Sequence, residues 1–275
     1  MTRAAPLPIS ACVIARDEDD RIDACLASLS FCQERLVVDA HSGDATRERA
    51  RAAGARVIER DWPGHVAQKE FAVRAARCEW VFCVDADECV SDALRHEIRA
   101  LAASGALAND SARPAAYTMP RASHYLGRWI RHGAWYPNRQ LRLFDRRRGH
   151  WTGMDPHDRV AVDGRVAALA GELLHWPYRN LSEHLDTIDR YTTLMASGLA
   201  ERGRRARRRD LVLRPGVRFL RSYVLKRGFL DGWRGLLIAS LAAHYGRMKY
   251  AKLFELQEQE RSARERSSDL PGSQP

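Results

Sequence analysis

The 275-residue sequence has no apolar stretch long enough to span a bilayer. Its longest apolar run, Gly235–Gly246, is short and contains His244. The first residues include Arg3 and lead directly into an apolar segment, so we expect no secretory signal peptide. Together these absences lead us to expect a cytoplasmic protein.

Several common functional motifs are also absent. The six cysteines all lie in the first third of the chain and form no CxxC pair, so we expect reduced, buried thiols and no zinc site. No GxGxxG follows the first apolar segment, and no GxxxxGK[ST] occurs anywhere. The sequence therefore excludes the common dinucleotide-binding and P-loop classes.

Acidic residues are fewer than basic ones, with 35 Asp and Glu against 45 Lys and Arg, and the net formal charge is +10. Much of the excess begins at 202–209, which reads RGRRARRR. Such a segment is typical of a solvated surface, a nucleic-acid site, an anionic membrane face or an anionic acceptor site. Composition alone leaves these alternatives open.

The first hundred residues alternate short apolar segments with segments of helical periodicity. This alternation predicts an α/β fold with a Rossmann-like, mostly parallel sheet flanked by helices. The predicted strands are Ile9–Ala15, Leu36–Asp39, Arg56–Ile58 and Val81–Val84, and the predicted helices are 19–29, 44–54 (with Asp44 as N-cap), 65–77 and 91–101.

The pattern changes after about residue 105. Short strands are predicted at 115–119, 140–144 and 159–162, followed by helices at 181–199, 216–226 and 229–259. We therefore predict a domain over 1–180 with halves at 8–105 and 106–180, a C-terminal helical extension over 181–260 and a disordered tail over 261–275.

The segment WVFCVDADE, residues 80–88, carries the strongest functional signal. It predicts a buried strand that ends in Asp85 and Asp87, and the carboxyl ends of parallel strands are where ligands bind. Two such carboxylates favour a Mg²⁺ or Mn²⁺ ion that arrives with a phosphate-bearing ligand. The alternative is a solvated acidic turn with Asp92 capping the next helix. Asp39 ends a second strand and is predicted to converge on the same edge.

A diphosphate at this edge would need cations as well as a metal. Lys69, Arg139 and Arg142 are the candidates in the sequence.

The motifs ISACVIARDED, VVDAHSGDAT and WVFCVDADE, in this order and spacing, resemble those of glycosyltransferase family 2 enzymes of GT-A fold. WYPNRQLRLFDR, HDRV, HWPYRNLSEHL and LKRGFLDGWRGLLIA extend the likeness over residues 8 to 255. The chain is similar to the bacterial subgroup that includes lipopolysaccharide-core β-1,4-glucosyltransferases.

The resemblance implies a role for each matching position. The implied roles are nucleoside contact for Ala15, Arg16 and Glu18, base binding for Asp39, ribose and diphosphate contact for Asp85, metal binding for Asp87 with Asp85, and general base for Asp158. The sequence departs from the family at Asp158, where Glu is usual, and at Asp17, where Asn is common. An exposed edge acid paired with Arg159 is the alternative for Asp158.

Other polar and aromatic residues have less definite roles. His157 could orient Asp158, and Trp135 with Tyr136 could stack on a sugar or be buried in a core. His175–Trp176 could line the acceptor cleft or pack in the core.

The implied reaction is an inverting, metal-dependent transfer of a hexose, with glucose from UDP-glucose as the expected donor, to a lipopolysaccharide-core or related lipid-linked glycan. A basic nucleic-acid-binding protein is one alternative, although the chain has no known nucleic-acid-binding module and this alternative leaves DADE unexplained. A metal-dependent nucleotidyltransferase, which would release pyrophosphate, is the other.

Apolar and basic residues are interleaved in the C-terminal third. The apolar residues are Leu211, Val217, Phe219, Leu220, Val224 and Leu225, and the basic ones are Arg214, Arg218, Arg221, Lys226 and Arg227. This pattern is typical of a helix on an anionic membrane surface, and also of helices that pack on the transferase domain with Arg facing water.

Overall fold

A computed structural model of the chain describes residues 5–108, 112–154 and 157–268, without the side chains of residues 154, 157, 267 and 268. These residues fold as two compact units. The first unit holds the described residues up to His124 together with Tyr136–Pro177. The second holds Tyr125–Trp135 together with the described residues from Tyr178 onward.

The strands are β1 Leu7–Ala15, β2 Cys32–Asp39, β3 Arg56–Glu59, β4 Trp80–Asp85, β5 Glu88–Val90, β6 Ala116–Tyr125, β7 Arg128–Ile130, β8 Asn138–Asp145, β9 Gly149–Met154, β10 His157–Val162, β11 Val166–Ala168 and β12 Leu173–His175. The α-helices are α1 Ile22–Ser28, α2 Thr46–Ala52, α3 His65–Ala75, α4 Asp92–Ala103, α5 Leu181–Glu201, α6 Leu213–Leu220 and α7 Gly232–Ser268.

The main sheet has the strand order β3-β2-β1-β4-β8-β6-β12-β5, and β11 also pairs with β6. Strands β3, β2, β1 and β4 are mutually parallel, and β8 joins them to β6 through antiparallel pairings. The hairpin β9–β10 forms a separate two-stranded sheet. The predicted α/β class with a mostly parallel sheet and a C-terminal helical region is confirmed.

Side chains of the central strands alternate between two hydrophobic clusters, as the pleat of a strand requires. Val13 and Phe82 belong to the cluster that α1 and α4 cover, whereas Cys12 and Val81 belong to the cluster that α3 and Trp151 cover. Each fully buried large apolar side chain contributes roughly 1.5–3 kcal/mol to stability. The sheet is therefore buried on both faces, which explains why its strands read as continuous apolar runs.

Two predicted helix starts are wrong by one or two residues. Helix α2 begins at Thr46, not at Asp44, although the Asp44 carboxylate still accepts a bond from the Thr46 backbone N–H. The cap of α4 is Ser91, whose hydroxyl accepts from the backbone N–H of Leu94. Asp92 is the first residue of that helix and does not cap it.

The second unit is built mainly from α5, α6 and α7. The helix predicted at 216–226 is instead α6 followed by a π-helical turn over Arg221–Leu225. The predicted disordered tail is also wrong at its start, because 261–268 continue α7, where Arg261 pairs with Glu258 and Glu265 one turn away on either side. Residues 269–275 lie outside the described residues. Across the described ranges, no helix combines the length and the apolar character that a membrane crossing needs.

Candidate active site

Three strands of the first unit end at the same edge of the sheet. The parallel register pairs Ala15 of β1 with Asp39 of β2, and Ile14 with Asp85 of β4. Residues predicted from separate parts of the sequence are therefore brought to one edge, the location at which open α/β sheets bind ligands.

The loops that follow β1 and β2 are hydrogen-bonded to each other. The backbone N–H of Asp17 donates to the Ser42 hydroxyl at 2.9 Å, and that of Glu18 donates to the Thr46 hydroxyl at 2.8 Å. The Asp17 carboxylate accepts from the backbone N–H of Gly43 at 2.7 Å, which an Asn side-chain oxygen could equally do. These bonds join the two loops, and the exposed side chain of Arg16 lies at their surface.

Asp39 is fully buried at the base of this loop pair. Its two carboxylate oxygens accept from the backbone N–H of Ser42 at 2.8 Å and from the Ser42 hydroxyl at 2.5 Å. In this structure Asp39 orders the loop. Its contact with a nucleotide base stays a prediction.

Lys69 of α3 lies at the centre of the charged cluster. Its Nζ contacts Asp85 Oδ1 at 3.0 Å and Asp158 Oδ2 at 2.8 Å, and its side chain is 8% exposed. Burial alone would lower the pKa of the ammonium, but Asp85 and Asp158 outweigh burial and raise it. Lys69 therefore stays charged and joins the strand-end acid to the acid on β10.

Arg142 of β8 binds the other oxygen of Asp85 at 2.6 Å. Burial would raise the pKa of Asp85, but Arg142 and Lys69 together hold it well below its ordinary value. Glu88, which is fully buried, accepts bonds from Arg142 at 3.0 Å, from Arg121 at 3.1 Å and from the backbone N–H of Asp85 at 3.0 Å. The acidic turn is thus neutralised by cations and is not the solvated turn that the sequence left as an alternative.

A β-bulge explains how Arg142 reaches this cluster. Between β6 and β8 the pairing steps from Tyr117–Leu143 to Thr118–Leu141, so Arg142 has no partner of its own. Leu141 and Leu143 consequently pack into opposite hydrophobic clusters although they are two residues apart. Bulges of this kind redirect side chains next to active sites.

Arg139, the other cation predicted on this strand, does not join the cluster. Its guanidinium donates to the carbonyl oxygens of Thr118 at 3.1 Å and Leu169 at 2.6 Å. These bonds hold it against the backbone, and its predicted phosphate contact stays a prediction.

Asp87 lies in the turn between β4 and β5 and faces His175 of β12. Its Oδ2 is 3.3 Å from His175 Nε2, and His175 Nδ1 is 3.1 Å from the Ser123 hydroxyl. The Asp87 carbonyl accepts from the backbone N–H of Trp176 at 2.9 Å, which fixes the turn against β12. Burial would raise the pKa of Asp87, but His175 outweighs it and lowers the pKa.

Asp87 and His175 fit two ligands of one divalent ion. Two ligand atoms about 2.1 Å from an octahedral ion lie about 3 Å apart when they are adjacent, close to the separation observed here. Asp85 fits less well than the sequence predicts, because Lys69 and Arg142 hold both of its oxygens. In the described part of the chain no three His, Cys, Asp or Glu side chains form a metal site by themselves, so further ligands would have to come from water or a bound phosphate.

Trp151 of β9 forms an aromatic wall beside the cations. Lys69 Nζ lies 4.8 Å from the centre of its ring and the Arg142 guanidinium carbon 5.9 Å away. The hairpin register places Asp158 on β10, the neighbouring strand. The side chain of Asp158 is 18% exposed and binds Lys69. The structure therefore does not show the alternative, an exposed edge acid paired with Arg159.

The remaining predicted residues are not part of this cluster. Trp135 belongs to the second unit, where its ring packs edge-on against Tyr125 at 5.0 Å. The Tyr136 hydroxyl donates to Glu172 at 2.8 Å. The side chain of His157 lies outside the described residues, so its role stays a prediction. Three residues of the cluster were not predicted from the sequence, namely Arg121, Glu88 and Trp151, although the DADE motif contains Glu88.

Comparison with known proteins gives a consistent result. The family model described as glycosyl transferase family 2 matches residues 10–162. A lipopolysaccharide core biosynthesis glycosyltransferase, LpsC of Rhizobium meliloti strain 1021, is 29% identical over 90% of this chain and 93% of its own length. An uncharacterized glycosyltransferase of Rickettsia typhi is 27% identical over 90% of this chain and 87% of its own length.

Solved structures are more distant. Glucosyl-3-phosphoglycerate synthase from Mycobacterium tuberculosis, in complex with Mn²⁺, UDP and glucosyl-3-phosphoglycerate, is 17% identical with a TM-score of 0.44 over 72% of this chain and 81% of that one. S. aureus TarS 1-349 in complex with UDP-GlcNAc is 15% identical with a TM-score of 0.44 over 93% and 92%.

The family match covers more than half of the chain and includes the strands that carry Asp39, Asp85 and Asp158. The chain therefore belongs to glycosyltransferase family 2 and is a glycosyltransferase.

Proposed function

We propose that this enzyme transfers a hexose from a nucleotide sugar to a lipopolysaccharide-core or related lipid-linked glycan, with inversion at the anomeric carbon and with a divalent metal. UDP-glucose is the expected donor, following the subgroup that the motifs resemble. The name of the LpsC relative supports the acceptor class. The observation that carries the proposal is the double contact of Lys69, which binds the donor-side acid Asp85 and the candidate base Asp158 through one ammonium group.

The donor would bind across the strand ends. The loop pair after β1 and β2 is joined by hydrogen bonds and would receive the nucleoside, with Ala15, Arg16 and Glu18 nearest to it. Arg142 and Lys69 are buried cations, and a diphosphate placed beside them gains strong charge-assisted hydrogen bonds. These two cations would bind the diphosphate in addition to the acids that they already contact.

The metal would be held by Asp87 and His175, with phosphate oxygens or water as its other ligands. When bound, a divalent ion offsets the negative charge that develops on the departing diphosphate. The Ser123 hydroxyl orients the His175 ring through Nδ1, so that Nε2 faces Asp87.

Asp158 would act as the general base. It accepts the proton of the acceptor hydroxyl while that oxygen forms a bond to the anomeric carbon. The bond from the anomeric carbon to the phosphate oxygen breaks, and its electron pair leaves with the nucleoside diphosphate. Lys69 holds one oxygen of Asp158 in place at 2.8 Å, which fixes the carboxylate for this transfer.

A panel of nucleotide sugars tests the proposal. Purified enzyme is incubated with UDP-glucose, UDP-galactose, UDP-GlcNAc and GDP-mannose, each with truncated lipopolysaccharide, and the released nucleotide is identified by chromatography. We expect UDP release from UDP-glucose that EDTA abolishes and added Mn²⁺ or Mg²⁺ restores.

Other outcomes of the panel separate the alternatives. Release of pyrophosphate would identify a nucleotidyltransferase. Full turnover in EDTA would contradict the metal role. A preference for a different donor would change only the proposed donor sugar. No turnover of any donor, together with salt-sensitive RNA binding in a gel shift, would favour the nucleic-acid alternative.

A further inference from the structure

The second unit has an apolar strip on the outer face of α6 and of the π-helical turn that follows. Leu213, Val217, Leu220 and Val224 follow one another at spacings of four, three and four residues, so they lie on one side of the helix. Their exposed fractions range from 46% to 64%. Side chains of this type are normally buried, and four in line on one helix face are unusual for a soluble surface.

Further exposed apolar residues surround this strip. Val212, Leu225, Phe229, Leu230, Trp233 and Leu236 are each between 44% and 72% exposed. The opposite side of α6 packs on α7, where Arg218 lies over the ring of Tyr245 and Pro215 is buried. Packing within the second unit therefore accounts for the inner face of α6 and leaves the strip unpartnered. Leu211 and Phe219, predicted from the sequence to share the apolar face, are less exposed.

The segment that carries the strip also carries the charge of the whole protein. Residues 202–236 contain twelve Arg and Lys against two Asp, a net formal charge of +10 that equals that of the entire chain. Both acids are already engaged, Asp210 with Arg214 and Asp231 with His132. In the described part of the chain no carboxylate lies within 4.0 Å of Arg221, Lys226 or Arg227.

We propose that the apolar strip and its basic surroundings form a docking surface for an anionic lipid bilayer. The aliphatic residues would enter the boundary between headgroups and acyl chains, and the unpaired cations would contact lipid phosphates. A second copy of this chain fits poorly, because the same net charge of +10 would face itself. Nucleic acid fits the charge but gains nothing from a central strip of Leu and Val. This inference goes beyond the proposed transfer reaction and does not rest on it.

Vesicle flotation tests the proposal without donor, acceptor or metal. The full chain is mixed with vesicles of equal parts phosphatidylcholine and phosphatidylglycerol, or with phosphatidylcholine alone, at low and high salt. We expect flotation with the anionic vesicles at low salt and release at high salt, because salt screens exposed charges. Emission from Trp233 should shift to the blue on binding, and Trp233→Phe should remove that part of the shift.

Matched variants distinguish binding through the strip from nonspecific binding to vesicles. Leu220→Glu should weaken binding about tenfold or more, since it loses apolar contact and adds a repelled charge. Leu194→Glu on α5 is the control, because Leu194 is 54% exposed and Leu220 is 53% exposed.

A second pair of variants tests the charge. Each basic group near an anionic surface strengthens binding about fivefold, so Arg221→Gln with Arg227→Gln should weaken it about 25-fold. The control is Arg264→Gln with Arg266→Gln, about 50 Å along α7 from its start at about 1.5 Å per residue.

The proposal would be overturned by no flotation at any salt concentration, by equal binding to neutral and anionic vesicles, or by an equal loss of vesicle binding in the test and control variants. It would also be overturned if Leu220→Glu abolished RNA binding or dimer formation and left flotation unchanged. Circular dichroism of each variant excludes misfolding as the cause.

Discussion

Replacing Lys69 with Met should reveal how much the charged cluster depends on one ammonium group. Met is similar in length to Lys but cannot donate a hydrogen bond or carry charge. Lys69 bridges Asp85 and Asp158 and is almost completely buried. The substitution therefore removes one cation from between two carboxylates while it leaves the apolar packing of the side-chain stem almost unchanged.

The size of the stability loss depends on the contacts that each carboxylate keeps after the substitution. Removal of one partner from a buried ion pair costs about 3–5 kcal/mol. Asp85 retains Arg142 at 2.6 Å, and Asp158 is partly exposed, so both acids remain partly compensated. We therefore expect a loss of about 2–3 kcal/mol in the free energy of unfolding, at or just below the lower end of that range.

Thermal unfolding followed by circular dichroism measures this loss. For a domain of this size, about 2–3 kcal/mol corresponds to a fall in Tm of about 5–10 °C. Arg49→Met is the control, because Arg49 binds Asp23 at 2.7 Å and both side chains are about half exposed, so its Tm should change much less. Equal changes in Tm in the two variants, or an unchanged Tm for Lys69→Met, would refute the prediction that the charged cluster depends on Lys69.

Two further predictions concern the metal and pH. In calorimetry with UDP present, Asp87→Asn or His175→Ala should weaken Mn²⁺ binding by about a hundredfold, because loss of even an outer-sphere partner costs about 10- to 100-fold. Asp92→Asn, a change at an exposed acid, should leave Mn²⁺ binding unchanged. Equal weakening in all three variants would contradict the metal site. Burial lowers the pKa of His184 to about 4 from an ordinary 6.5, so the fold excludes the protonated ring. Stability is then complete above about pH 6.5 and falls by up to about 3 kcal/mol as pH drops towards 4. Denaturation at a series of pH values should show this slope in the wild type and in His244→Gln but not in His184→Gln.

The sequence predicts the central strands and the acids at their ends because both signals are local. Apolar runs of strand length followed by Asp39 or Asp85 indicate where parallel strands stop. The α/β class and the family motifs follow from the same residues. Lys69 could be named as a cation near the site because it lies in the helix before WVFCVDADE.

The remaining site features depend on contacts between distant segments. β12 pairs with both β5 and β6, and only this pairing brings His175 to Asp87. The bulge that frees Arg142 for the cluster, while Arg139 binds backbone carbonyls, leaves no mark in local periodicity. The burial of Asp39 under Ser42 likewise depends on how two loops meet. Local propensity cannot report any of these arrangements.

The most direct test of the catalytic account is the rate of transfer by Asp158→Asn at saturating donor. Asn keeps the shape of the side chain but cannot take a proton from the acceptor hydroxyl. With Asp163→Asn, an exposed acid just after β10, as the control, we expect Asp158→Asn to bind donor normally and to lose about a hundredfold or more in kcat. A kcat close to that of the wild type, or a loss confined to donor binding, would contradict Asp158 as the base.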